Sequence, residues 1–211
     1  MPRTRRGAGS MLGPPPSLQQ YVEEFCDAPL ERGAVIQLSK TLARVVGEQL
    51  RVLLADVKLE VGRRTFAGSS RRHHLDVFAY SLDKGLQLGV DVKGLNSGPS
   101  VGKNWNNRIG DLHELAANHH ATSPKAVLGG VLAIPLEDIT PTTLANIERA
   151  MLNLGGRTAV GDTSNLLECA CLIVISKEER RIHEALPEPT SPLHVQNFAT
   201  AMARLYKQRW V

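Results

Sequence analysis

The 211-residue chain is poor in aromatics, at 4%, and holds only three cysteines, Cys26, Cys169 and Cys171. So few rings leave little material for a stacking platform that grips single strands of nucleic acid. An odd cysteine count without metal-type spacing argues against a disulfide framework and a zinc site, and fits a reducing, cytoplasmic compartment. Cys169 and Cys171 stand two apart in an apolar run, where a strand puts them on one face as small hydrophobes. No stretch reaches the roughly 18 apolar residues of a membrane-spanning helix, so no membrane partner is expected. Neither sign of charge dominates. Lys and Arg number 25 and Asp and Glu 21, for a net charge of +4 and a pI near 9.1. That mildly basic balance is compatible with a polyanionic partner. A hydrophobic fraction of 42% and a charged fraction of 22% are ordinary for a globular protein. The length suits one domain with a tail.

Residues 1–16 carry three arginines, three glycines and four prolines, with nothing to bury. A disordered basic, Pro-rich tail over 1–17 is expected, followed by a single domain over 18–211. Val35, Leu38, Leu42, Val45, Val46, Leu50 and Leu53 form an apolar stripe at helical spacing and predict a helix over 34–54. Val57–Phe66, His73–Tyr80 and Leu86–Leu95 read as three strands. A helix is predicted over 105–119, a buried strand over 126–135 and a helix from Thr140-Pro141 to Leu154. A second buried strand covers 169–176, a charged surface loop 177–192, and a last helix runs towards Trp210. Consecutive strands make an antiparallel meander, and strands separated by helices join in parallel. The fold class is therefore α/β, with a mixed central sheet between two layers of helices.

The chemistry lies in the second and third strands. Leu75, Val77 and Ala79 alternate in one, and Leu86, Leu88, Val90 and Val92 in the other, which gives each an apolar face. A four-residue loop, Leu82–Gly85, pairs Ser81 with Leu86 and so sets Asp76 opposite Asp91, with Phe78 and Tyr80 on the same face. Lys93 lies two residues on, on the face of Asp91. Facing carboxylates repel, and a divalent cation between them relieves the repulsion. Oxygen ligands favour Mg²⁺, with Mn²⁺ as a substitute. Such a site hydrolyses phosphodiesters, with Lys93 orienting the water or neutralising the phosphate.

Asp76, fourteen intervening residues and then Asp91-Val92-Lys93, on a hairpin after a long helix, resemble the PD-(D/E)XK nuclease superfamily. Small type II restriction endonucleases are the most similar members. The resemblance covers about residues 34–176, and Leu75 stands where the motif has Pro. It implies a restriction-endonuclease-like α/β/α core, Asp76 and Asp91 as metal ligands and Lys93 as a catalytic residue. It also implies a further Glu from the first helix. Glu48 is the candidate catalytic residue and ligand, with Glu60 competing.

The segment Gly94–Arg108 is dense in hydrogen-bond donors. Asn96, Ser97, Ser100, Lys103, Asn104, Asn106, Asn107 and Arg108 are candidate DNA contacts, because glycines admit phosphates and Asn and Arg suit base edges. It is not a P-loop. Ser97 replaces the first Gly and Asn104 the Ser or Thr, so no nucleotide cofactor is expected. His73-His74 and His119-His120 lack zinc-type spacing. Arg63, Arg64, Arg71 and Arg72 flank a turn and suit either a DNA backbone or solvent. The expected activity is Mg²⁺-dependent cleavage of double-stranded DNA. One site per subunit and two strands to cut imply a homodimer.

Overall fold

The computed structural model describes residues 17–28, 30–96, 98 and 101–211. The elements are α1 (Leu18–Asp27), α2 (Arg32–Leu53), β1 (Glu60–Ala67), β2 (Arg72–Ser81), β3 (Gly85–Gly94), α3 (Val101–Thr122), β4 (Val127–Pro135), α4 (Pro141–Leu154), β5 (Cys169–Ser176), β6 (Arg181–Ile182) and α5 (Val195–Trp210). A short 3-10 helix, Leu136–Asp138, follows β4.

The six strands lie in sequence order in one mixed sheet. β1, β2 and β3 are antiparallel, β3, β4 and β5 are parallel, and β6 closes the edge antiparallel to β5. One core joins α1, α2 and α5 to one face of the sheet, and a second joins α3 and α4 to the other. β4 and β5 are buried at every position, as their unbroken apolar runs require. Cys169 and Cys171 pack together in the α2–α5 core, and burial pushes the Cys169 thiol up to about 12. No helix among the described residues is long and apolar enough to cross a membrane.

The ends of the chain and the hairpin depart from the sequence reading. The expected tail lies outside the described residues except for Ser17, which caps α1. Its hydroxyl accepts from the Gln20 amide and the Gln20 side chain accepts from the Ser17 amide, a capping box legible as S-x-x-Q. The expected surface loop over 177–192 contains β6.

The β2–β3 turn has three residues, not four. Ser81 pairs with Gly85 and Tyr80 with Leu86, and Gly85 takes φ +69°. Gln87 is then the extra residue of a bulge, and Ala79 pairs with Leu88. The two one-residue slips cancel, so Phe78↔Gly89 and Val77↔Val90 keep the expected register. The bulge also turns Leu86 to the α3–α4 core while Leu88, Val90 and Val92 face the α2–α5 core. A second flip sits at Asp76. Leu75 packs in the α3–α4 core and Val77, two residues on, in the α2–α5 core. The single apolar faces expected from strict alternation are therefore broken twice.

α2 is held close to the sheet by two glycines. A Cβ on Gly47 would lie 2.3 Å from Val61 Cγ2, and one on Gly94 would lie 2.8 Å from Val35 Cγ1. At the start of β5, Glu168 Oε1 accepts from Arg157 at 2.5 Å and Arg209 at 2.6 Å. Its Oε2 accepts from the Leu128 amide at 2.8 Å and meets His120 Nε2 at 3.2 Å. Burial drives this carboxyl up, but hydrogen bonds from His120, Leu128 and Arg209 outweigh it and hold it below the usual range. Removing the carboxylate strands two guanidinium groups, one of them fully buried. Glu168→Ala is therefore expected to lose about 3–5 kcal/mol of stability, read by urea denaturation. A loss under about 1 kcal/mol would rule out this role.

Candidate active site

A cleft of about 510 Å³ where α2 crosses β1, β2 and β3 is lined by many charged side chains. Its floor is built where the hairpin ladder stops. The last β2–β3 pair towards the cleft is Val77↔Val90, and the next positions in that register are Asp76 and Asp91. On the other side of β2, the β1 register shifts between Val61 and Arg64, so Gly62 and Arg63 lie across from Asp76. Gly62 takes φ +136°, which a side chain rarely adopts. Asp76 is thus skipped by both ladders. Its Oδ2 accepts the Val92 amide at 2.9 Å, in place of a main-chain carbonyl.

Asp91 is 3% exposed, and its Oδ2 lies 2.7 Å from Lys93 Nζ. Burial pushes its carboxyl up to about 6. The Lys93 ammonium pulls it down, and the neighbouring Asp76 carboxyl pushes it up again. Asp76 is half-buried, and Lys93 keeps 27% of its side chain exposed. The sequence-predicted trio of Asp76, Asp91 and Lys93 is therefore brought together, with Asp76 and Asp91 adjacent and Lys93 bound to one of them.

Glu48 is not brought in. The cleft wall is a ridge of α2 at four-residue spacing, Arg32, Ile36, Lys40 and Arg44. Four residues turn a helix about 40° past one full turn, so the next member, Glu48, has rotated out of the cleft. It is exposed and paired with Arg51. Glu60 is also absent from the lining and lies 3.9 Å from Arg64. Among the described residues no group of three or more His, Cys, Asp or Glu side chains is placed to hold a metal ion. Two carboxylates remain, which matches the way Mg²⁺ is commonly held, by one or two carboxylates with waters and substrate oxygens. The donor set is oxygen-only and already strained by mutual repulsion, so a divalent cation fits it.

α3 begins at Val101, earlier than the predicted start at Trp105, so Lys103 and Asn104 join Asn106, Asn107 and Arg108 on the helix, all of them exposed. Of these only Arg108 lines the cleft, 3.2 Å from Asp111. Asn96 also lines it and donates to the Leu30 carbonyl at 3.3 Å. Ser97 and Ser100 lie outside the described residues.

His74 reaches the cleft, with Nδ1 2.9 Å from Thr65 Oγ1. Burial, with the Arg63 and Lys93 charges, holds it below the ordinary imidazole value. His73 instead packs edge-on to His119 beneath α3. Arg64 lies over Phe66, Phe78 and Tyr80, so Phe78 and Tyr80 belong to an aromatic group rather than to the floor. The sequence reading missed Arg32, Lys40 and Arg44. Their signal was a cation row at helical spacing beside the apolar stripe.

No protein-family model, curated protein or solved structure matches this chain.

The raised Asp91 carboxyl has a consequence for stability. The folded protein holds that proton more tightly than an unfolded chain, whose Asp titrates near 3.9. Its stabilising contribution is complete below about pH 4 and is lost as pH rises through about 6. Asp91→Asn is therefore expected to gain on the wild type between these values, by about 3 kcal/mol at most, with a constant difference above them. Urea denaturation at a series of pH values reads this, and a flat difference across the window refutes it.

Proposed function

We propose that the chain is a divalent-cation-dependent endonuclease of the PD-(D/E)XK type that hydrolyses phosphodiester bonds in double-stranded DNA. The observation that carries this reading is the buried Asp91, held against the Asp76 carboxyl and paired with Lys93, on the floor of a basic cleft. A solvated hairpin would leave these groups wet, yet Asp91 is almost fully buried. The element order supports the same fold type. A helix, three antiparallel strands, a crossing helix and a strand parallel to the third follow one another as in that superfamily's core.

Asp76 and Asp91 would hold Mg²⁺ or Mn²⁺. When bound, the cation supplies charge to the scissile phosphate and lowers the pKa of a coordinated water. Lys93 keeps Asp91 ionised and directs its remaining protons at the phosphate or the attacking water. The water oxygen gives a proton to solvent and forms the new bond to phosphorus, the bond from phosphorus to a deoxyribose oxygen breaks, and the departing oxygen takes a proton from solvent. Asn96 and Arg108 contact the substrate from the cleft rim, and the exposed Asn and Lys side chains of α3 face DNA beyond it. Cleavage of both strands brings two copies together as a homodimer. A site-specific restriction enzyme is the form proposed.

Plasmid DNA incubated with protein and Mg²⁺ is expected to give discrete fragments, and EDTA is expected to abolish them. Asp91→Ala and Lys93→Ala should each lose about 10²–10⁴-fold in rate. A smear in place of bands indicates a nonspecific or structure-directed nuclease of the same type. Tight binding with no cleavage of plasmid or branched DNA leaves a binding module and overturns the enzyme reading. Mg²⁺ should also raise the melting temperature of the wild type and not that of Asp91→Ala, since a ligand stabilises only a fold that binds it.

A further inference from the structure

The cleft has more positive charge than its carboxylates require. Arg32, Lys40, Arg44 and Arg63 all line it, all are exposed, and none forms an ion pair among the described residues. Counted with Lys93 against Asp76 and Asp91, they leave a net three positive charges. Surface cations are ordinarily interspersed with acids. Arg51, Arg64, Arg71, Arg180 and Arg181 of this chain each have a carboxylate partner. Other exposed cations, Arg72, Arg204 and Lys207 among them, are also without an ion pair among the described residues, and these four differ in standing together on one wall of the cleft and its opposite lip.

Their order along the wall is regular. Arg32, Ile36, Lys40 and Arg44 repeat every fourth residue of α2, so the row runs along the cleft and drifts about 40° around the helix at each step. At 1.5 Å per residue it is about 18 Å long, which spans about five nucleotides of one B-form strand. Arg63 stands across from it, in the bulge beside Asp76. Ile36, 42% exposed between the cations, offers an apolar surface where a charged ligand alone would call for none. A backbone that alternates phosphate with sugar meets both needs. The close seating of α2 through Gly94 and Val35 brings this row to the floor where Asp91 lies.

Resting on the nuclease reading for its substrate class, we propose that the Arg32–Arg44 ridge of α2, with Arg63 opposite, is the track for the cleaved strand of DNA. Lys40 and Arg44 hold phosphates next to the scissile one, and Arg32 holds one further along. α2 thus acts on the substrate, where the family resemblance implied an acidic ligand from the same helix. These are positioning residues. They fix the strand over Asp76 and Asp91 through its phosphates and take no part in base recognition.

The test measures binding, so it does not depend on cleavage. A fluorescein-labelled 20-base-pair duplex is titrated with protein in EDTA over a range of salt, and anisotropy gives the affinity. The variants are Lys40→Ala/Arg44→Ala and, as a control of equal charge, Arg204→Ala/Lys207→Ala on the exposed side of α5. Each lost phosphate contact should flatten the slope of log K against log salt by about 0.9. The α2 double variant should therefore flatten it by about 1.8 and weaken binding at least tenfold at low salt, with the α5 control close to wild type. The α2 loss should be similar for unrelated duplex sequences. Lys40→Gln/Arg44→Gln should behave like the Ala pair, which separates charge from packing.

Equal effects of the α2 and α5 pairs would overturn the track, as would an unchanged slope. So would loss of binding to phosphatidylserine vesicles with duplex binding intact. Failure of the nuclease reading looks different. The wild type would then cut nothing with Mg²⁺ while the α2 pair still flattened the slope. If the α2 pair cuts as fast as wild type at limiting DNA, the track falls and the nuclease stands.

Discussion

The arrangement of the cleft depends on keeping a carboxylate charged in a place where water hardly reaches. Asp91 sits on a strand whose next neighbours on both sides are core, and a second carboxyl stands beside it. Unassisted, such a group protonates. Lys93 opposes that from two residues away, and it can do so only because alternation puts both side chains on one face of β3. The surrounding backbone is shaped to the same end. β2 and β3 stop pairing at Val77↔Val90, the Asp76 carboxylate takes over the next main-chain donor, and a glycine with positive φ in β1 accommodates the mismatch. Were the ladder continuous, Asp76 would be an ordinary strand residue with its carboxylate free of Val92.

The order of elements was legible because length and period decide it. The α2 stripe from Val35 to Leu50 has helical spacing over many turns, and β4 and β5 are apolar runs too short for helices. Asp76, Asp91 and Lys93 were legible for a less secure reason. Their opposition was argued from a four-residue turn that does not exist, and it survives because the Gln87 bulge cancels the shorter turn. A bulge leaves almost no mark in a sequence. Gln87 reads as a polar residue on an exposed face, whereas in the fold it is buried and accepts a hydrogen bond from Tyr206 at 3.2 Å.

Glu48 shows the complementary limit. A helical wheel gives a residue's angle about the axis but not how far along the helix the sheet continues to face it. In the sequence Glu48 stands between Val46 and Leu50 of the apolar stripe. What removes it from the cleft is the gradual rotation of the four-residue row, which keeps Lys40 and Arg44 inside and carries Glu48 past the rim to Arg51. The start of α3 was missed because Gly102 and the run of Asn residues argue locally against a helix. Val101 and Ile109, both buried in the α3–α4 core, override that preference.

The cluster around Glu168 shares no residue with the cleft. It ties α3, β4, the segment after α4, β5 and α5 together through one carboxylate. Most of what anchors those elements is thus settled away from the ridge and the lip that line the cleft and from the exposed turn of α3 beside it. Substitutions there change what the surface touches without reaching the anchor. A lineage carrying this fold is free to change what its cleft touches while its frame stays put, because the variation falls on exposed positions where substitutions cost little stability.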